Sequence, residues 1–377
     1  IPSSAASDVY KRQRLNMKNI IKITLALIFS LLVIGYASLN LNFVQDKVFT
    51  FGINNLVGVN STFLDDEDSL KVVVCGSRSP LPSPGRAEAC ILVEAGDDIY
   101  IFDIGNGSVA NLQQYQIPFI NIKGVFITHM HSDHIAELPE LHLQSWVQGR
   151  DAPLSVYGPE GINLVTKGFE LAYSADYSYR NEHHGDDLMP LNTSGFEAIV
   201  VKDKQLIKTE TDGLEIIPFV VDHHPVNHAF GFRVNYKGRS VVISGDTIND
   251  GSVQQYAKDA DLLVHSAINI DVLEKIRKVS HNEILNKIFL DIQTYHTPIK
   301  EAAEIAKNAN VKHLLIYHAI PTPTNDIFED VFYRGVDDIF PNYTPSVDGT
   351  TVVLPIGSNE IISVSYTHLT LPTTEYV

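Results

Sequence analysis

The chain has 377 residues, of which 44% are hydrophobic and 19% charged, enough to bury an apolar core and to exclude a disordered or fibrous protein. Its 28 Lys and Arg face 45 Asp and Glu, and the net charge of -17 repels nucleic-acid phosphates, which argues against a general RNA or DNA binder. Two Cys exclude a disulfide scaffold or a Cys-rich zinc module, whereas 15 His call for an explanation.

In chain order, residues 1–16 and 364–377 read as adapter-like tails foreign to the protein and are set aside. Residues 17–37 read as an export segment: Lys18 and Lys22 flank its start, an apolar run covers 23–34, and Gly35 and Ala37 place small residues around a cleavage site. Cleavage after Ala37 and retention as an uncleaved anchor both stay open, because the apolar stretch just reaches spanning length. Either reading puts the rest of the chain in a periplasmic or secreted space, with any membrane contact confined to this segment. A linker is expected over 38–68, and a single hydrolase domain over 69–363.

From residue 69 on, β-rich runs alternate with helical ones, which predicts a layered α/β domain. Strands are expected over 71–75, 90–94, 99–104, 124–128, 154–157, 214–221, 230–236, 240–244, 262–265 and 311–318. Thr297 and Pro298 read as an N-cap and first helical residue for a helix through 301–309. Residues 161–212, with Tyr173, Tyr177, Tyr179, Arg180, His183 and His184, interrupt the alternation and are expected to be an insertion over the site or a plain surface excursion.

The strongest signal is the run His129, His131, Asp133 and His134 directly after the apolar stretch 124–128. Residues two apart on an extended segment project to one side, so His129 and His131 can share a metal, while Asp133 and His134 turn toward a second. Three more candidates follow β-rich runs: His223, Asp246 and His318. Together they predict a site of His129, His131 and His223, a site of Asp133, His134 and His318, and Asp246 bridging both. Imidazole and carboxylate donors without thiolate fit two zinc ions, with manganese or iron as alternatives. Such a pair would share a water, lower its pKa and stabilise attacking and leaving oxygens, which is hydrolytic equipment.

In these residues the chain resembles the metallo-β-lactamase superfamily, specifically its ribonuclease Z and arylsulfatase-like branch. The resemblance runs from about residue 72 to 321, through the glycine-rich turn at residues 74–82, Asp103 and Gly105 in the second-strand motif, the His129 cluster, and His223 followed by Gly231 and Arg233. Asp246 and Tyr317 with His318 complete it. It implies an αβ/βα four-layer sandwich with the metals on one edge of two packed sheets. It also implies that His296 donates a proton to the leaving group or holds the substrate oxyanion. Asp133 or Asp246 would orient the metal-bridging hydroxide. Ser266 stands where the branch has Glu after His265, so an acidic orienter is missing. Arg78, His224 and His228 depart from the branch as well and are expected on a substrate rim. His142, His281 and His313 are expected to be ordinary polar positions, and Cys75 and Cys90 on adjacent strands leave a disulfide and two thiols both open.

The expected function is an exported dinuclear zinc hydrolase of a small anionic ester, a phosphodiester or an aryl sulfate. The tRNA 3′ processing endoribonuclease of the same branch is the alternative, and a lactonase a further one. Export, acidity and the lack of a basic arm weigh against nucleic acid; a homodimer stays open.

Overall fold

The computed structural model describes residues 4–57 and 68–365. They fall into two units, divided between residues 62 and 63. In the first, one helix, Ser4–Ser38, runs without a break through the expected tail and export segment, and its stretch Met17–Ser38 is long and apolar enough to cross a membrane. The expected linker is not plain coil: it contains a second helix, Asn42–Val57.

The second unit carries fifteen strands among its described residues: β1 (Ser69–Gly76), β2 (Cys90–Ala95), β3 (Asp98–Phe102), β4 (Ile122–Phe126), β5 (Leu154–Gly158), β6 (Phe196–Val200), β7 (Ile207–Lys208) and β8 (Leu214–His223). Then follow β9 (Val226–Tyr236), β10 (Arg239–Ile243), β11 (Leu262–Ile268), β12 (His313–Ile320), β13 (Tyr343–Pro345), β14 (Thr350–Pro355) and β15 (Ile362–Ser365). One sheet has the order β15-β14-β1-β2-β3-β4-β5-β6, the other β13-β12-β11-β10-β9-β8-β7. The segment 161–212 is a long helix, Ile162–His184, followed by β6 and β7, which edge one sheet each. Val364 and Ser365, assigned by sequence to the foreign tail, pair with β14; the rest of that tail lies outside the described residues.

The strands are apolar on both faces because both faces are covered. On β1, Val72 and Val74 point between the sheets, where Phe102, Phe126 and Phe232 interlock with ring centroids 5.1–5.6 Å apart. Val73 and Cys75 point outward against helices that include Ser108–Gln114 and Leu138–Val147. The second sheet does the same, burying Leu263, Leu314 and Ile316 under the helix Ile299–Asn308. The result is the layered α/β domain that the alternation predicts, in the four-layer form that the resemblance implies. Cys75 and Cys90 are joined in a disulfide.

The helix after residue 298 differs from expectation in its cap. Pro298 itself is the capping residue, and the Thr297 hydroxyl donates to the Thr247 carbonyl at 2.7 Å while no side chain accepts from the first helical amides.

Candidate metal centre

The loop that leaves β4 is fixed by Asp103, a buried residue at φ 58°, a left-handed conformation costly for any side chain but glycine. Its carboxylate accepts from the Thr128 amide at 2.8 Å, the Thr128 hydroxyl at 2.8 Å and His134 Nδ1 at 2.7 Å. The Thr128 hydroxyl in turn accepts from His129 Nδ1 at 3.0 Å. Two rings are thereby oriented with Nε2 turned toward the other residues of the set. Gly105 lets the chain pass under this loop, for a Cβ there would lie 2.1 Å from the Asp133 carbonyl oxygen.

The other sheet supplies its residues one strand end at a time. His223 ends β8 and donates from Nδ1 to the Tyr295 carbonyl at 2.8 Å. Asp246 follows Gly245, whose φ of 63° and approach to the Phe230 carbonyl (2.8 Å from a built Cβ) suit only glycine. His318 is the unpaired residue of a bulge in β12: Tyr317 pairs with Ser266 and Ala319 with Ala267, and His318, at φ 46°, is turned out of the ladder.

These seven residues come together. His129 Nε2 lies 2.8 Å and His223 Nε2 3.4 Å from His131 Nδ1. His318 Nε2 lies 3.1 Å from Asp133 Oδ2, and His134 Nε2 3.5 Å from the same oxygen. Asp246 reaches both groups: its Oδ2 is 3.4 Å from His134 Nε2, its Oδ1 3.5 Å from His318 Nδ1, and its carboxylate lies within 4.8 Å of donor atoms on His129 and on His223. His296 joins them with Nδ1 3.9 Å from Asp246 Oδ2. All but His131 are buried.

His134 Nε2, Asp246 Oδ1, His296 Nδ1 and His318 Nδ1 are buried with no hydrogen-bond partner. An unpaired buried polar atom is costly, and the three on His134, Asp246 and His318 are what a cation-binding set presents; the fourth, on His296, lies beside them. The residues therefore fit a pair of divalent ions, two triads sharing Asp246.

The electrostatics are strongly coupled. Burial and the neighbouring His134 hold His129 well below the usual histidine range. Burial also opposes charge on His134, but Asp103, Asp133 and Asp246 outweigh it and hold that ring well above. Asp246 is pushed up by burial yet held well below the carboxylate range by His318, His134 and His296. Asp133 behaves alike, at about 2, under His134 and His318. Burial lowers His296 to about 3.

A cleft of about 250 Å³ opens on the set, lined on its polar side by His131, Asp133, Asp246, His296 and His318. Several expected rim residues lie elsewhere. Arg78 pairs with Glu88 at 3.0 Å and donates to the Arg86 and Ser79 carbonyls, because the loop after β1 uses it as an internal tie. His224 and His228 border a separate trough behind His223. His183 and His184 end the helix Ile162–His184, exposed and away from the cleft lining. His142 is a core residue stacked on Phe196 at 4.0 Å. His265 is buried, with Nδ1 donating to the Ser266 carbonyl at 2.6 Å, while the Ser266 hydroxyl donates to the Gly245 carbonyl at 2.9 Å and so steadies the turn before Asp246. The hub role of Asp103 is absent from the sequence reading; Asp103 was visible only as part of a motif.

Comparison with known proteins agrees with this geometry. The family model for "Anti-Pycsar protein Apyc1" matches residues 72–333. Ribonuclease Z of Mycobacterium bovis (strain BCG / Pasteur 1173P2) is 34% identical over 257 residues, covering 67% of this chain and 86% of that protein. Ribonuclease Z of Mycobacterium marinum is 32% identical over 257 residues, covering 67% and 87%. The crystal structure of the metallo-beta-lactamase fold protein YhfI from Bacillus subtilis aligns with a TM-score of 0.56 at 20% identity, covering 75% of this chain and 99% of that one. Human tRNase Z, short form, aligns with a TM-score of 0.52 at 22% identity, covering 76% and 100%.

Proposed function

We propose, from the premise that the chain belongs to the Anti-Pycsar protein Apyc1 family in the ribonuclease Z-like branch of the metallo-β-lactamase superfamily, that its metal centre hydrolyses phosphodiester bonds. The observation that carries the reading is Asp246, one carboxylate set between two donor triads. His129, His131 and His223 would hold one cation, Asp133, His134 and His318 the other, and Asp246 both. When bound, two divalent ions neutralise the ester's non-bridging oxygens and make water acidic enough to attack at neutral pH. Zinc is the first choice for this donor set, manganese or iron the next.

Around that pair the chain's own side chains divide the work. Asp133 faces the cleft with its Oδ2 steadied by His318, placed to accept a proton from attacking water. His296 borders the same cleft. Its ring is placed to donate a hydrogen bond or a proton to the departing oxygen, and burial, which lowers its pKa, favours the neutral donor.

The name Ribonuclease Z carried by the relatives supports RNA as the diester. A small diester is the second reading, favoured by a cleft that no Lys or Arg lines among the described residues. An extracytoplasmic location is supported by the apolar helix at Met17–Ser38 and by the Cys75–Cys90 bond, which persists in oxidising compartments. The test is the full chain with measured metal content, offered bis-p-nitrophenyl phosphate, pre-tRNA, p-nitrophenyl sulfate and a lactone. Diester or pre-tRNA turnover that disappears with the metal is expected; turnover of only the sulfate or the lactone would refute the reading.

A further inference from the structure

We infer that the helix Asn42–Val57 is a second membrane contact, lying along the phospholipid surface of the bilayer that Met17–Ser38 crosses. The inference rests on retention of that span and is independent of the reaction at the metal centre.

Just past the span, large apolar side chains are left in the open: Leu39, Leu41, Phe43, Val48, Phe49 and Phe51 are each at least half exposed. The apolar clusters among the described residues contain nothing before Leu70, so no protein core claims them. Their order is regular. Leu41, Val44, Val48 and Phe51 recur at three- and four-residue steps and form one stripe. At about 100° per residue, Asn42, Asp46 and Thr50 fall on the opposite face, while Phe43 and Phe49 flank the stripe on either side. Asp46 and Lys47 cancel, so the stretch 39–52 carries no net charge. An apolar stripe with aromatic flanks and a polar back is the arrangement of a helix lying in the plane of a membrane interface.

The turn between the two helices adds an independent observation. The last four carbonyls of a helix have no partner within it. Here the Gly35 carbonyl accepts from the Ser38 hydroxyl at 2.7 Å and the Leu39 amide at 3.3 Å, and Tyr36 from the Asn40 side chain at 3.4 Å. Ala37 accepts from the Asn40 amide at 3.1 Å and Ser38 from the Leu41 amide at 3.0 Å. The Leu41 carbonyl then accepts from Val44 and Gln45 and starts the next helix. A turn that satisfies its own backbone needs no water, which is what the edge of the hydrocarbon demands. Lipid is therefore the occupant that fits. The stripe begins three residues past the span, where the bilayer surface lies. A second copy packed on the stripe would leave Phe43 and Phe49 in water, whereas the headgroup region takes aromatic rings on the flanks. With the chain at a net charge of -17 and the stretch neutral, apolar burial rather than attraction to anionic lipid supplies the binding, and zwitterionic lipid suffices.

The test measures depth. The two native cysteines are bonded to each other, so one introduced cysteine gives a single labelling site. Nitroxide labels at Leu32→Cys, Asp46→Cys, Val48→Cys, Thr50→Cys and Phe51→Cys are read in the full chain, purified from membranes and reconstituted in phosphatidylcholine vesicles. Each label is scored by its collisions with oxygen, which concentrates in lipid, against those with a water-soluble nickel complex. The oxygen-to-nickel ratio at positions 48 and 51 should exceed that at 46 and 50 by about fivefold or more and approach that at 32, inside the span. Equal ratios on the two faces, or water-like ratios at 48 and 51 beside a lipid-like 32, overturn the inference while leaving the span. Exclusion of both reagents at 48 and 51, with spin–spin broadening between chains, overturns it in favour of a second copy. A purified chain whose mass shows cleavage after Ala37 removes both span and contact.

Discussion

The two sheets furnish the same centre in opposite ways. The β1-containing sheet delivers His129, His131, Asp133 and His134 from one loop, held as a block by the Asp103 carboxylate beneath it. The β12-containing sheet delivers His223, Asp246 and His318 from three strand ends, each aimed by its own device: a carbonyl behind His223, a left-handed glycine before Asp246, a bulge at His318. A block should fail as a unit when its hub is disturbed, whereas scattered ligands should fail singly, except where one of them serves both triads.

Asp246→Ala is that exception and the harshest test. It should strip both metals after dialysis and lower turnover by about 10³-fold or more, measured by metal analysis beside steady-state rates. Full zinc occupancy in this variant would contradict the shared-carboxylate geometry. His296→Ala lies outside both ligand groups and should keep both metals while lowering turnover by roughly 10²-fold; a loss of zinc would make His296 a ligand instead. Asp103→Asn asks whether the block has a hub. Its amide can still accept from Thr128 but cannot accept from His134 as a carboxylate does, so zinc affinity should fall about 10- to 100-fold in chelator competition. An unchanged affinity would mean that Thr128 alone orients the loop. Gly105→Ala touches no ligand atom and reads on folding, since the new methyl would lie 2.1 Å from the Asp133 carbonyl oxygen and 2.9 Å from the Glu88 carbonyl carbon. It should cost at least about 3 kcal/mol in denaturant unfolding.

The same contrast explains what the sequence discloses. The block is legible because its four candidate ligands lie within six residues after an apolar strand. His223 and Asp246 are legible because each ends a β-rich run. His318 shows as the last residue of a predicted strand, but β12 continues to Ile320, and the bulge that turns the ring inward is backbone geometry without a residue signature. The ten expected strands are all present with ends shifted by a few residues. β6, β7, β13, β14 and β15 are not foreseen; β6, β7, β13 and β15 are edge strands, and one as short as Ile207–Lys208 carries too few residues for an alternation to register. Asp103 acts across 31 residues and through a left-handed backbone, so its part could not be read from spacing.

The bond between Cys75 and Cys90 spans fifteen positions and ties off the base of the excursion that carries Leu81. By chain-entropy reasoning such a tether is worth about 3 kcal/mol against the unfolded ensemble. Asp348 fastens the same excursion from within, accepting from Ser77 N at 2.9 Å and Ala87 N at 2.6 Å. Recombinant material made in a thiol-rich cytosol would therefore lose this tether first and lean on Asp348 alone, so the cell chosen for expression sets how firmly the segment beside the cleft is held.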